Sequence, residues 1–191
     1  MQKACQKLRL YFHQTKPQIS NMRIFLIGLI GSGKTTLGKK LAELLKIPFI
    51  DLDEYIVRKE LKSVSEIFST KGETYFREIE AKYLREVCLY KDAVVATGGG
   101  AACFHENMTV MNVSGVTIFL DVPLETLTER LWHQPQREQR PMIAGKNKIE
   151  LAQFVKEIHQ SRIEFYKDAK LILKGNEISA DQILYLLDEL D

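Results

Sequence analysis

Long apolar runs are missing from this chain. The longest, Ile24–Ile30 and Val116–Leu120, fall far short of the roughly 20 residues that a membrane helix requires, so no membrane span is expected. Cysteine is sparse: Cys5, Cys88 and Cys103, with no CxxC spacing, give neither a disulfide framework nor a zinc ribbon and fit free thiols in a reducing cytoplasm. The four histidines form no HxxxH or HExxH pair, which leaves no histidine metal site to propose. Internal repeats and low-complexity blocks are absent too. Residues 1–21 contain no acidic residue, only the bases Lys3, Lys7, Arg9 and Lys16. With a whole-chain charge of +2, residues 22–191 are therefore slightly acidic. The basicity belongs to the tail, and no nucleic-acid partner is expected for the rest. No long apolar segment or small-residue cleavage site follows the tail, which argues against a secretory signal. Residues 1–21 are expected to be a poorly ordered basic extension, and residues 22–191 a single domain.

What is present is an alternation of strand and helix patterns. At 191 residues with 45% hydrophobic and 27% charged side chains, the chain can bury one full core. Strands are expected at Arg23–Leu29, Pro48–Leu52, Ala93–Thr97, Val116–Val122 and Leu171–Leu173. Helical periodicity covers Gly33–Lys46, Glu54–Leu61, Ser65–Thr70, Glu73–Tyr90, Leu124–His133, Ile149–Tyr166 and Ser179–Leu190. Almost wholly apolar strands separated by helices predict an α/β fold of three layers: a parallel five-stranded sheet with helices on both faces. Ligands bind such sheets beyond the carboxyl ends of the strands. The residues that matter first are those just after each strand.

Gly28-Leu29-Ile30-Gly31-Ser32-Gly33-Lys34-Thr35 follows the first strand and opens a helix, fitting G-x-x-x-x-G-K-[ST] at every defined position. Glycines let the backbone curl so that several N–H groups converge on a polyphosphate, and the helix start adds its positive dipole end. Gly31, Ser32, Gly33, Thr36 and Lys34 are the expected nucleotide contacts, with Lys34 a mobile cation for the outer phosphates. Thr35 offers a hydroxyl to Mg²⁺, a hard cation that prefers oxygen. No N-K-x-D guanine-reading motif is present, and a motor would need coupling elements for which this chain has little room. A small-molecule kinase fits the length best.

Four further features could build an acceptor site, and each has a plainer reading. Asp51 and Asp53 would point to the same side if the second strand continued. One could then hold Mg²⁺ through water and the other accept from a substrate hydroxyl, or both could simply cap the next helix. Glu73, Arg77 and Glu80 share a helical face: two acids bracing a guanidinium that grips an anion, or a surface ion-pair ladder. Gly98-Gly99-Gly100 after a strand permits close ligand approach, or forms a flexible turn. Residues 134–148, with Arg137, Arg140, Lys146 and Lys148 against Glu138, suit a mobile cationic lid over a polyphosphate or a solvated loop.

Taken together, GLIGSGKTT, DLD, IF…GE…FR..E, TGGGA, the RP of the flap and R…Y in the penultimate helix resemble shikimate kinase, a P-loop kinase family, over most of residues 23–175. The resemblance implies γ-phosphoryl transfer from ATP to the 3-hydroxyl of shikimate with Mg²⁺. It makes Asp53 the residue that orients the accepting hydroxyl and is able to take its proton. It makes Arg77 and Arg162 the carboxylate clamp, Gly98–Gly100 part of the same pocket, Glu80 the brace of Arg77, and Phe68 and Phe76 an apolar wall. Lys34 and Arg140 would meet the phosphates, Thr35 and (through water) Asp51 the metal, and Arg130 the adenine side. A monomer acting on small molecules in the cytoplasm is implied.

Three features depart from the family pattern. The tail has no counterpart, Ala101-Ala102-Cys103 replaces the usual aliphatic run after the glycines, and the segment from Arg130 to Arg140 is longer. Two competing readings exist. A gluconate kinase-like enzyme would share the phosphate loop but gives no special reason for GGG with FRxxE. A catalytically silent nucleotide-binding module predicts damage at Lys34, Thr35 or Asp53, all of which are intact.

Overall fold

Alternation along β1 (Arg23–Ile27) sets the layers: Phe25 and Ile27 point to one side, Ile24 and Leu26 to the other, and all four are fully buried. Each such side chain contributes about 1.5–3 kcal/mol on leaving water. The computed structural model describes residues 22–135, 137 and 142–190. The expected basic extension 1–21 and Arg140 lie outside the described residues.

The remaining strands are β2 (Phe49–Asp51), β3 (Ala93–Ala96), β4 (Val116–Asp121) and β5 (Leu171–Lys174). They pair in the order β2-β3-β1-β4-β5, every neighbour parallel. On the Ile24 and Leu26 side, α1 (Lys34–Leu45) supplies Leu37 and Leu41, and α7 (Ala180–Asp188) supplies Ile183, Leu184 and Leu187. On the Phe25 and Ile27 side lie α2 (Leu52–Glu60), α3 (Val64–Val87), α4 (Asn107–Ser114), α5 (Leu124–Trp132) and α6 (Lys148–Lys167), through Ile56, Ile79, Met111, Leu127 and Val155 among others. This is the expected three-layer parallel α/β architecture. Among the described residues no helix is long and apolar enough to cross a membrane.

Differences from the sequence expectation fall at element ends and in one stretch left without an element. The second strand stops at Asp51, because that carboxylate caps α2 by accepting from the N–H groups of Asp53 and Glu54 at 3.1 and 3.3 Å. Asp51 and Asp53 thus stand on a strand end and a helix start rather than along one strand. Gly72 (φ 81°, ψ 175°) breaks α3 between the two expected helical stretches. Residues 101–114 fold into a short 3₁₀ turn (Ala101–Cys103) and α4. Within the expected lid, Ile143 is fully buried in the same core layer as Leu127 and Leu151, which anchors that end of the segment.

Candidate active site

Gly28, Gly31 and Gly33 carry φ of 138°, 82° and 93°, the left-handed region where side chains are strained, and so wind the loop between β1 and α1. Gly33 caps α1 without any side-chain acceptor, leaving the first-turn N–H groups facing outward. Lys34 is not the loose cation expected from sequence. Its ammonium is buried and donates to the Gly28 and Leu29 carbonyls, both at 2.8 Å, which draws it back along the loop. Thr36 is exposed in the first turn of α1 and Ser32 is buried under the loop. The Thr35 hydroxyl donates to Asp51 Oδ2 at 2.8 Å, while Oδ1 caps α2. One carboxylate thus caps the helix and stands against the Thr35 hydroxyl. A hydroxyl and a carboxylate side by side are hard oxygen donors, the chemistry that suits Mg²⁺.

Arg130, assigned to the adenine side by resemblance, is exposed and lies against the phosphate loop. Its guanidinium donates to the Gly31 carbonyl and to the Asn176 carbonyl in the segment after β5.

The glycine triplet needs no unusual backbone, since none of its members has positive φ. It needs space instead. A Cβ on Gly98 would sit 3.0 Å from both Asp53 Oδ1 and Glu80 Oε1. One on Gly99 would lie 3.3 Å from the Ile30 nitrogen of the phosphate loop and 3.4 Å from an Arg162 guanidinium nitrogen. One on Gly100 would collide with the Arg77 guanidinium at 2.7 Å. A single turn after β3 thus touches the loop, both arginines and Asp53. Tyr166, one turn beyond Arg162 on α6, donates its hydroxyl to the Gly99 carbonyl, and burial pushes its phenol pKa up, so the donor keeps its proton.

Arg77 is only 7% exposed and Glu80 is fully buried, which excludes the surface-ladder reading. Glu73 accepts from Nε and Nη2 at 3.1 and 3.0 Å, and Glu80 from Nη1 at 2.8 Å. Burial pushes the Glu80 carboxyl up to about 7, only partly offset by Arg77, with the nearby Asp53 raising it further. Its Oε1 has no hydrogen-bond partner and faces the gap at Gly98. Phe68 and Phe76 stack with ring centroids 4.6 Å apart beside this cluster, Phe76 being also part of the core. Cys103 nearby is a neutral thiol, pushed up to about 11 by burial.

Sequence reasoning missed Phe104, which stacks on Arg77, and Asn176, which holds Arg130. Neither sits in a motif. An aromatic residue shortly after a glycine turn was the one available signal.

Comparison with known proteins bears on this geometry. A family model for shikimate kinase matches residues 30–190. A shikimate kinase of Bacteroides fragilis is 49% identical over 157 residues, covering 82% of this chain and 87% of that one. The crystal structure of shikimate kinase from Bacteroides thetaiotaomicron superposes with a TM-score of 0.82 at 42% identity, covering 88% of this chain and 97% of the other. Shikimate kinase from Acinetobacter baumannii in complex with shikimate gives 0.79 at 30% identity, covering 92% and 96%. A gluconokinase from Sinorhizobium meliloti shares the fold alone, at 18% identity and a TM-score of 0.56. With the phosphate loop, the glycine turn and the braced arginine in place, and with such matches along most of its length, the chain belongs to the shikimate kinase family.

Proposed function

We propose that this enzyme transfers the γ-phosphoryl group of ATP to the 3-hydroxyl of shikimate, acting as a monomer in the cytoplasm. The observation that carries the reading is the turn Gly98–Gly100, whose three positions face Asp53, Arg162 with the phosphate loop, and Arg77 in succession. It brings a polyphosphate cradle and a carboxylate clamp within reach of one small molecule.

In this reading Arg77 and Arg162 hold the acceptor's carboxylate, since guanidinium groups match carboxylates in planar paired hydrogen bonds. Asp53 accepts from the attacking hydroxyl and takes its proton as the bond to phosphorus forms. The loop N–H groups, Lys34 and Arg140 neutralise the phosphates. Arg140 lies outside the described residues, and its part rests on its place in the flap motif. Thr35 and, through water, Asp51 would hold Mg²⁺, which when bound neutralises charge on the β- and γ-phosphate oxygens. Phosphoryl transfer proceeds through a loose transition state, so alignment and charge stabilisation supply most of the rate. Arg130 serves this scheme by fixing the loop at Gly31 and the segment at Asn176.

ADP release measured with ATP, Mg²⁺ and a panel of small hydroxy acids tests the assignment. Turnover is expected with shikimate and not with gluconate; the reverse pattern overturns it. A second prediction follows from the turn. Gly100 has φ −100°, so alanine suits the backbone, and only the collision with Arg77 matters. Gly100→Ala is expected to raise the shikimate KM about tenfold, from the usual size of overpacking effects, while the KM for ATP stays put. Steady-state kinetics with each substrate varied in turn checks this.

A further inference from the structure

Glu73 and Glu80 hold Arg77 through N–H···O bonds, and because guanidinium N–H groups are directed within the plane of the group, such bonds fix its position mainly along that plane. They do little against tilting out of it. A third contact does. The Phe104 ring faces the guanidinium, whose central carbon is 4.3 Å from the ring centroid, against 5.3 Å for Phe76. A cation over an aromatic face is held electrostatically by the ring quadrupole. Phe104 is half-buried yet belongs to neither core layer, so filling the interior does not account for an aromatic residue here.

The segment bearing the ring is bolted to the helix that carries Arg77. Asn107, fully buried, donates its side-chain amide to the Ala101 carbonyl and its backbone N–H to the Phe104 carbonyl, both at 2.9 Å. Arg85 on α3 reaches across to Asn107 Oδ1 at 3.3 Å and to the His105 carbonyl at 3.1 Å, and is itself steadied by the Ala81 carbonyl at 2.8 Å. At the other end the 3₁₀ turn is tied to the glycines, with Cys103 N–H donating to the Gly100 carbonyl at 2.9 Å. Ring, glycine turn and guanidinium therefore share one frame of reference.

We propose that Phe104 is a positioning residue for acceptor binding: its ring face sets the tilt of the Arg77 guanidinium, so that the open edge meets the substrate's carboxylate in one plane. The proposal rests on the reading that Arg77 grips shikimate. Paired carboxylate recognition demands coplanarity, and a long, rotamer-rich side chain fixed before binding loses less entropy on binding.

Three variants of the full chain test this: Phe104→Ala, Phe104→Leu and Phe104→Tyr. Alanine removes the ring, leucine keeps apolar bulk without a π face, and tyrosine keeps the face. Alanine and leucine are expected to raise the shikimate KM about three- to tenfold, the scale of a cation–π contact. The kcat and the KM for ATP should stay within about twofold, while tyrosine should match the wild type on every parameter. Should the alanine variant fold poorly, leucine against tyrosine decides alone. A leucine variant with wild-type KM overturns the proposal, as does a loss confined to kcat. Wild-type protein that fails to phosphorylate shikimate would instead sink the parent assignment, a result separable from any effect of Phe104.

Discussion

Asp53→Asn is expected to lower kcat at least ~100-fold while ATP binds as before, from the usual size of positioning and acid–base contributions. Asparagine keeps the shape of the side chain and removes both its charge and its capacity to accept a proton. The cap of α2 should survive, because it comes from Asp51 and uses only the backbone N–H of Asp53. Two measurements on the purified variant check this: turnover of shikimate at saturating substrates, and ATP affinity by calorimetry. Unchanged turnover would remove Asp53 from the mechanism.

The second large effect concerns Arg77→Ala. The shikimate KM is expected to rise on the order of 100-fold, as for truncation of a charged partner in a desolvated pair. Stability should fall as well, because Glu80 is fully buried and loses the cation beside it. Stranding one half of a buried pair costs about 3–5 kcal/mol. The pH dependence has a definite sign. The Glu80 carboxyl already sits at about 7 through burial, and removing the lowering influence of Arg77 raises it further. A raised carboxyl contributes stability that is complete below its unfolded-state pKa and lost as pH rises through the folded one. The gap in Tm between wild type and variant should therefore be narrower at pH 6 than at pH 8. Thermal melts at both values test this, and a gap that widens on acidification refutes the role given to Glu80.

Much of this was legible in the sequence because periodicity and glycine spacing act locally. Near-continuous apolar strands announced a parallel sheet, and the Gly28–Thr35 spacing announced the loop. The i, i+4, i+7 spacing of Glu73, Arg77 and Glu80 put the braced guanidinium on one helical face. What resisted was decided by distant partners. The short α4 begins after Glu106 in the left-handed region with no side-chain cap, so neither of the usual start signals marks it. Nothing local in Phe104 indicates that a residue 27 positions earlier lies across its ring. Lys34 looked loose because a lysine's reach is visible in sequence and the carbonyls that hold it are not. The placement of Asp51 and Asp53 was decided by helix capping, which turned the chain just where an extended strand would have put both acids on one side.

The strand order has a consequence for what this protein can accept. The phosphate loop follows β1, Asp53 opens the helix after β2, and β3 lies between them. Neighbouring strands in any sheet stand about 4.8 Å apart, so backbone hydrogen bonding acts as a fixed ruler between donor and acceptor. Mutation cannot lengthen that gauge gradually without unzipping β3. New acceptors must be fitted by recarving the surface of α3 and the glycine turn, at constant span.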